Sequence, residues 1–308
     1  TAIAALARER DLGLGYFVNT GNETDISFSE CMEYILNDKR IKVGAGYIEG
    51  VTDPTKLVNL ARTSLKTKKP IVITKVGKTK AGAKAAASHT GAISGNDEVF
   101  SKLIAKLGIL RAKNEEHLLD IVDILSKTEP PKGENLGIIT MSGGAGVQIA
   151  DKASELGLKI PRLQKKTENY LKKDLSNFAS IKNPIDITAQ FIADPQMLRN
   201  SVKHVLSDSN IHIGIIWLQL MDGFVEILKK TFYEIKKENS KPFVVCWVAA
   251  PDSGLKALRD MNICALRAGE ATVDAIKALT DWGNILQKHN LNFESSNKIE
   301  KLIKELHK

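Results

Sequence analysis

Cysteine is scarce in this sequence. The three cysteines among 308 residues, Cys31, Cys246 and Cys264, are an odd number, and none stands in a CxxC or Cys/His spacing. This usage excludes a small disulfide-stabilised scaffold and offers no metal-ligating pattern, so we predict no metal site. Free thiols in a hydrophobic core are the simplest interpretation, which fits a reducing compartment and predicts a cytoplasmic protein.

Long apolar runs are also missing. No stretch approaches the roughly 18 apolar residues that a membrane-spanning helix needs. The alanine-rich start, TAIAALARERDLGLGYF, has charged residues close behind it and no signal-peptide pattern. We therefore expect neither a membrane span nor secretion. Because the sequence opens without Met on a pattern typical of a helix already under way, we expect it to be part of a longer polypeptide.

The positive charge lacks the clustering of a nucleic-acid-binding surface. The net charge of +8 comes from lysines in pairs and short runs such as KTKK and KTK, with no basic block interleaved with aromatic residues. We therefore expect no nucleic-acid partner. The charge favours the attraction of small anionic molecules. With 43% hydrophobic and 26% charged residues, the composition is otherwise that of a globular protein.

Short apolar runs alternate with amphipathic stretches along the whole chain. GYFVNT, KVGAGYIEG and PIVITKVG precede helical patterns in the first part, and LGIITMSGGAG, IHIGIIWLQL and KPFVVCWVAA do so in the second. This βαβ rhythm predicts parallel sheets covered by helices on both faces. NICALR is expected to be a short edge strand.

The best domain boundary is the segment TEPPKGEN, which follows the predicted helix NEEHLLDIVDILSK. We predict an α/β protein of two tandem doubly wound domains with parallel sheets, residues 1–130 and 131–308. The segment from about residue 292 is expected to be a polar terminal helix or tail.

In open α/β sheets, ligands bind beyond the carboxyl ends of the strands. One such loop is the glycine turn Ser142, Gly143, Gly144, Ala145 and Gly146, between a strand pattern and a helix pattern. Free backbone amides at a helix N-terminus without side chains in the way suit a phosphate, although a tight turn with nothing bound explains the sequence as well. The chain has no GxGxxG or GxxxxGK[ST] motif, which argues against dinucleotide and Walker-type nucleotide binding.

His89 stands among small residues in AGAKAAASHTGAISG. Ser88, Thr90, Gly91 and Gly95 could donate hydroxyl or amide groups to an anion near the imidazole, and none is large enough to block it. The competing interpretation is a solvated surface histidine. Glu49, directly after a predicted strand, is a candidate to fix the tautomer of His89 and leave one ring nitrogen as a nucleophile, or else it only begins a turn.

Four further polar residues lie on loops that follow predicted strands, at the edge of the sheet where ligands bind. They are Asn22 and Asp25 in TGNETD, and Asn183 and Asp186 in NPIDIT. They are candidates for contacts with a substrate. Turn formation and helix capping explain them equally well.

Taken together, the motifs resemble a known family. KVGKTKAGAKAAASHTGAISGNDEVF, with GYIEGVTD, TGNETD, MSGGAGV and NPIDIT, is similar over nearly the whole chain to the NDP-forming acyl-CoA synthetases, the superfamily that includes succinyl-CoA synthetase. SHTGA is the most specific element. The resemblance implies two flavodoxin-like domains, which in this family follow a CoA-binding Rossmann domain, with an ATP-grasp unit on the same or a partner chain.

The resemblance also implies roles for the candidate residues. His89 would be the phosphorylated histidine, which takes a phosphoryl group from an acyl phosphate and passes it to ADP or GDP. Glu49 would orient it, and residues 143–146 would form a helix N-terminus directed at the phosphohistidine. The first of the two predicted domains would thus carry the phosphohistidine loop.

The sequence contains neither a CoA-binding fingerprint nor an ATP-grasp segment, so we expect the central part of a synthetase that converts acid, CoA and ATP to acyl-CoA, ADP and phosphate. No tightly bound cofactor is expected, since CoA, ATP or ADP and Mg²⁺ are used by the complete enzyme. The expected partners are a CoA-binding Rossmann domain and an ATP-grasp domain, on the same polypeptide or a partner subunit, a small carboxylic acid and phosphate. An oligomer is expected.

Two alternatives remain open. A protein acetyltransferase can carry a similar synthetase-like region as a non-catalytic module that senses acyl-CoA, but the presence of both His89 and Glu49 favours the enzyme. The other alternative is a plain flavodoxin-like ligand-binding protein, which does not explain why both predicted domains resemble the synthetase family. The small polar loops would accept acetate, a hydroxy acid or a longer acid alike.

Overall fold

The computed structural model describes residues 2–90, 95–288 and 297–306. The chain forms two compact units, one of Thr1–Ser126 with Asn284–Lys308 and the other of Lys127–Gly283. Each unit has a parallel sheet and a hydrophobic core of its own. This confirms the predicted α/β class with two flavodoxin-like domains.

The first unit is built on three parallel strands in the order β1-β2-β3. Its elements are α1 (Ala2–Glu9), α2 (Phe28–Asn37), β1 (Gly44–Ile48), α3 (Pro54–Thr67), β2 (Ile71–Lys75), α4 (Lys80–Thr90), α5 (Asp97–Lys106), β3 (Leu110–Ala112) and α6 (Glu115–Lys127). In register, Gly44 pairs with Ile71 and Val72 with Leu110. Residues of α2, α3 and α5 pack on the strands to form the core.

The second unit has five parallel strands in the order β5-β4-β6-β7-β8. Its elements are β4 (Leu136–Thr140), α7 (Gly143–Glu155), α8 (Lys165–Asp174), β5 (Ile185–Asp186), α9 (Pro195–Ser207), β6 (Ile213–Gln219), α10 (Val225–Glu238), β7 (Phe243–Val248), α11 (Asp252–Asp260), β8 (Ala265–Leu266) and α12 (Gly269–Gln287). This is the 2-1-3-4-5 order of the flavodoxin-like fold, whose ligands bind beside the first strand, here β4. β8, from NICALR, is an edge strand as predicted.

The last helix, α13 (Asn297–Leu306), belongs to the first unit. Its residues Ile299 and Leu306 are buried in the core formed by α3 and α5. The predicted bounds 1–130 and 131–308 therefore need correction: the first stretch of chain ends at Ser126, and residues from Asn284 onward return to it. The physical reason is that the predicted polar tail has an apolar face that must be buried.

The run GYFVNT is the other correction. Residues 15–20 pair with no strand within the described ranges, and Phe17 and Val18 are about half exposed. The apolar pattern that predicts a strand is present. An extended segment becomes a strand only where a neighbouring backbone accepts its hydrogen bonds, and in the described residues β1 pairs with β2 alone.

Candidate functional site

Glu49 lies where the sequence predicts it, directly after β1 and half-buried. The amide of Val76, the residue after β2, donates a hydrogen bond to the carbonyl oxygen of Ile48 at 3.0 Å. Glu49 therefore stands at the carboxyl edge of the sheet, beside the strand that leads into α4. Burial raises the pKa of Tyr47, and the carboxylates of Glu115 and Glu49 raise it further. These two carboxylates therefore act on Tyr47 at this edge of the sheet.

His89 lies in the last turn of α4 rather than in a loop. The helix forms because five alanines stand among its eleven residues, and alanine has the highest intrinsic helix propensity. The predicted phosphohistidine loop is therefore helical up to residue 90, which corrects that expectation. The side chain of His89 and residues 91–94 lie outside the described residues, so the pairing of His89 with Glu49 stays a prediction.

Helix α4 adds no buried side chain to the core in the part whose side chains are described. Its first turn is stabilised locally, since the amide of Gly82 donates to the Thr79 hydroxyl at 3.1 Å. The exposed Ser88, one of the predicted anion contacts, donates its hydroxyl to the carbonyl oxygen of Lys84 at 2.9 Å. The helix that carries His89 is therefore a surface element.

The predicted phosphate turn begins α7. Ser142 is the N-cap residue, and its carbonyl oxygen accepts from the amide of Gly146 at 3.1 Å. Ala145 and Gly146 are buried, whereas Gly143 and Gly144 are exposed. Amides in the first turn of a helix have no intrahelical acceptor and lie at the positive end of its dipole. An anion can therefore approach Gly143 and Gly144, while Ala145 and Gly146 face the interior.

Asp186 stands beside this turn. A Cβ atom placed on Gly143 would lie 3.3 Å from its Oδ2 atom, and its Oδ1 atom accepts from the amide of Thr188 at 2.8 Å. The structure thus brings together two candidates from separate loops. The carboxylate offsets part of the helix dipole, so a ligand with an anionic oxygen and a donor hydroxyl, such as monohydrogen phosphate, suits this end best.

Asn183 has a structural role. Its side-chain oxygen accepts from the amide of Ile138 at 2.9 Å, and its side-chain nitrogen donates to the carbonyl oxygens of Leu136 at 2.8 Å and Pro161 at 3.1 Å. The Asn183–Pro184 peptide bond is cis. The amide therefore ties the loop before β5 to β4, which is the turn-forming alternative rather than a substrate contact.

In the loop TGNETD, Asn22 and Asp25 are exposed. Glu23, which lies between them and was not predicted from the sequence, accepts from the amide of Phe28 at 3.1 Å and from the hydroxyl of Thr52 at 3.5 Å. Glu23 therefore links this loop to the one that follows Glu49. No signal in the sequence distinguishes it from its two polar neighbours.

Lys75, at the end of β2, is the second residue of this region that was not predicted from the sequence. Every residue of β2 is buried, and the Lys75 side chain is only 1% exposed. Its Nζ atom lies 3.8 Å from Asp97 Oδ1 and donates to the carbonyl oxygen of Val76 at 3.2 Å. Burial lowers the pKa of Lys75, and the Asp97 carboxylate opposes that shift. The sequence signal that could have identified Lys75 is its position as a charged residue inside the apolar run PIVITKVG.

Two kinds of feature are absent from the described residues. No helix there is long and apolar enough to cross a membrane. No group of three or more His, Cys, Asp or Glu side chains in that part of the chain is placed to hold a metal ion.

Comparison with known proteins gives two family matches and close relatives. A succinyl-CoA ligase like flavodoxin domain matches residues 1–125, and a Ligase-CoA domain matches residues 136–249. The chain is 32% identical over 285 residues to the acetate–CoA ligase [ADP-forming] I subunit alpha of Pyrococcus furiosus, covering 90% of this chain and 60% of the relative. It is 34% identical to subunit alpha of ligase II of the same organism, covering 78% of this chain and 53% of the relative.

A solved structure matches as well. The dinucleotide forming acetyl-coenzyme A synthetase 1 of Ca. Korarchaeum cryptofilum, in complex with phosphate and ADP, superimposes with a TM-score of 0.82 at 28% identity, covering 94% of this chain and 64% of that one. This chain therefore spans between about half and two thirds of the length of these relatives.

Proposed function

Because this chain belongs to the NDP-forming acyl-CoA synthetase family, we propose that it is the central part of an acid–thiol ligase. The complete enzyme would convert a carboxylic acid, CoA and ATP reversibly to acyl-CoA, ADP and phosphate. The observation that carries this proposal is the similarity of 90% of the chain to an ADP-forming acetate–CoA ligase subunit.

We assign His89 as the phosphoryl carrier. In the direction of ATP formation, a ring nitrogen attacks the phosphorus of an acyl phosphate, the bond between phosphorus and the acyl oxygen breaks, and the carboxylate leaves. A terminal oxygen of ADP then attacks the same phosphorus, and the nitrogen–phosphorus bond breaks. Glu49 accepts a hydrogen bond from the other ring nitrogen and so keeps the attacking nitrogen unprotonated. Its half-buried position at the carboxyl edge of the first sheet supports this role.

The N-terminus of α7 is the proposed phosphate site of the second unit. The exposed amides of Gly143 and Gly144 bind the anion, and Asp186 accepts a hydrogen bond from a protonated phosphate oxygen. The position of this turn after β4, the first strand of a 2-1-3-4-5 sheet, supports the assignment, because that strand borders the ligand crevice of the fold. Asn22 and Asp25 are kept as proposed substrate contacts.

CoA and the nucleotide, two substrates of the proposed reaction, require binding domains of their own. We propose that a CoA-binding Rossmann domain and an ATP-grasp domain, on the same polypeptide or a partner subunit, hold CoA and the nucleotide with its Mg²⁺. The relatives named as alpha subunits and the partial coverage of their length support this arrangement. We further propose an oligomer in the cytoplasm, a reducing compartment that suits the scarcity of cysteine and the lack of a CxxC spacing in the sequence.

The non-catalytic acetyltransferase module is not favoured. The relatives found are named as CoA ligases and synthetases, and both His89 and Glu49 are present. The acid of the proposed reaction is a small carboxylic acid.

The test is phosphoryl labelling in the complemented enzyme. With the CoA-binding and ATP-grasp modules and labelled ATP, the chain should acquire label that is stable in base and labile in acid. The His89→Ala variant should lose the label and acyl-CoA formation, and Glu49→Gln should slow both on the order of 10² to 10⁴-fold. His204→Ala, a change on α9 of the second unit, is the control that should keep both. Undiminished labelling of His89→Ala would refute the assignment.

A further inference from the structure

One edge of β1 has no strand partner within the described residues, where β1 pairs with β2 alone. The Gly44 amide donates to the carbonyl oxygen of Pro70, just before β2, at 2.9 Å. Backbone groups of successive residues in a strand point to opposite edges, so Ala45 and Tyr47 direct theirs away from β2. Both residues are exposed. Such a row of backbone donors and acceptors is a template for a further strand.

The extended segment of residues 15–20 runs in the same direction as β1. A Cβ atom on its first residue, Gly15, would contact the side chain of Ile41, three residues before β1. At its other end, the Glu23 carboxylate accepts from the hydroxyl of its last residue at 3.4 Å and from that of Thr52, four residues after β1, at 3.5 Å. The two stretches therefore start and end together, although no ladder joins them in the described part of the chain.

The second unit shows how a complete sheet of this order is filled. There β4 lies between β5 and β6 and leads through a short turn into α7. Apart from additional helices, α1, the segment 15–20, β1, β2 and β3 follow one another as α7, β5, β6, β7 and β8 do. By this correspondence, the counterpart of β4 would lie between the segment 15–20 and β1. It is the strand that the described residues of the first unit lack.

Ion pairs support the correspondence of α1 with α7. Arg10, directly after α1, and Lys152, in α7, each pair with two carboxylates on the helix that follows the last strand of their unit. These carboxylates are the second and sixth residues of each helix, Glu116 and Asp120 in α6 and Glu270 and Asp274 in α12. Arg10 lies 2.7 Å from Asp120, and Lys152 lies 3.6 Å from Asp274. The two helices are therefore fastened in the same way.

We propose that the open edge of β1 binds a short apolar strand, parallel to β1, which the complete enzyme supplies directly ahead of α1. Strands buried on both faces of a parallel sheet are continuous apolar runs, as in β4, whose five residues are all buried. The strand would also give α1 a partner to cover, because Ile3 and Leu6 on that helix are only half-buried. Naming the complete enzyme as its source rests on the proposed function.

The first test is hydrogen exchange of the unaltered chain. The amides of Ala45 and Tyr47 should exchange at least about tenfold faster than those of Gly46 and Ile48, which face β2. Equal protection of the two pairs would show that the edge is already covered and would overturn the proposal. Protection of Ala45 and Tyr47 that rises with chain concentration would also overturn it, because a second copy would then occupy the edge.

The matched reference for this test lies in β6. The Gly214 amide donates to the carbonyl oxygen of Pro242 at 3.0 Å, as the Gly44 amide does to Pro70. The amides of Ile215 and Trp217 therefore face β4, and they should be as well protected as that of Gly214.

The second test adds a strand. A copy of residues 134–142, which contains β4 and the turn into α7, is fused ahead of residue 1. The fusion should slow exchange of the Ala45 and Tyr47 amides at least about tenfold and raise Tm. The same fusion with Ile138→Pro in the added copy is the control and should change neither, because proline is excluded from the interior of a sheet. Unchanged exchange in the first fusion would overturn the proposal.

These outcomes are independent of the labelling experiment. Hydrogen exchange needs no activity, so a covered β1 edge leaves the assignment of His89 untouched. If His89→Ala still labels, the proposed function fails, and exchange at Ala45 and Tyr47 still decides whether the edge accepts a strand.

Discussion

At the scale of single residues, Gly144 and Gly146 look alike in the sequence but stand in different surroundings. A Cβ atom on Gly146 would lie 3.1 Å from Pro184 Cβ and 3.2 Å from Thr140 Cγ2, whereas one on Gly144 would meet nothing within 4 Å. Both neighbours of Gly146 belong to rigid parts of the second unit, a proline ring and a central strand. Gly146 therefore allows α7 to pack closely on β4.

We expect the two alanine variants to shift stability in opposite directions. Gly146→Ala should lower the free energy of unfolding by about 1–3 kcal/mol through overpacking. Gly144→Ala should raise it by up to about 1 kcal/mol, because alanine replaces glycine in a helix. Urea denaturation of both variants measures this. Equal effects would show that close packing does not select glycine at residue 146.

At the scale of elements, the start of α2 is a capping box. The Ser27 hydroxyl accepts from the amide of Glu30, and the Glu30 carboxylate accepts from the amide of Ser27 at 2.9 Å. Hydrogen bonds from the hydroxyl and amide of Ser27, with a smaller contribution from Lys56, lower the pKa of Glu30 from 4.5 to about 2. Because the pKa is lower in the folded state, this stabilisation is complete above about pH 4.5 and is lost as the pH falls towards 2.

Removal of the cap hydroxyl should be visible in the titration of Glu30. In Ser27→Ala, the pKa of Glu30 should rise towards its ordinary value, and the stability difference from the unaltered chain should shrink as the pH falls below 4.5. NMR titration and thermal unfolding between pH 2 and 7 measure the two effects. Lys56→Met should raise the pKa less, since Ser27 is the larger cause; the opposite order would contradict the capping box.

The sequence predicts helices and strands best where local signals and packing agree. Asn114 before α6 accepts from the amide of His117 at 2.9 Å, which is the N-cap bond that an asparagine in front of a helical pattern favours. α13 carries apolar residues at the spacing i, i+3, i+4 and i+7, namely Ile299, Leu302, Ile303 and Leu306, which is typical of a packed helix. That signal was present but was outweighed by the many lysines and glutamates around it.

The candidate site was less predictable than the fold. A charged side chain such as Lys75 can be placed in a strand pattern, but its burial depends on what packs over it. Phe100, whose ring centroid lies 5.7 Å from Lys75 Nζ, is 25 residues further along the chain, in α5. The small residues around His89 predicted a loop, because they leave room for an anion near the imidazole. They form a helix instead, since alanine has a high intrinsic helix propensity. Contacts such as that of Glu23 with Thr52 join residues far apart in the chain and leave no local pattern.

At the scale of the whole molecule, the first unit contains residues from both ends of the chain. Leu306 is 7% exposed within its core. Leu306→Ala should destabilise the first unit by about 2–5 kcal/mol, and hydrogen exchange should quicken in β2 and α5 while β4 and β6 keep their protection. The exposed Lys304→Ala on the same helix is the control. Loss of protection in both sheets would show that the units unfold as one.

The return of residues 284–308 to the first unit also sets an order of events during synthesis on the ribosome. The second unit, Lys127–Gly283, is made as one uninterrupted stretch, so it can fold as soon as it has left the exit tunnel. The first unit must wait with an uncovered apolar face on α3 and α5 until α13 emerges. At about 5–20 residues per second, that delay is on the order of 10 to 30 s, during which the nascent chain offers a binding surface to chaperones.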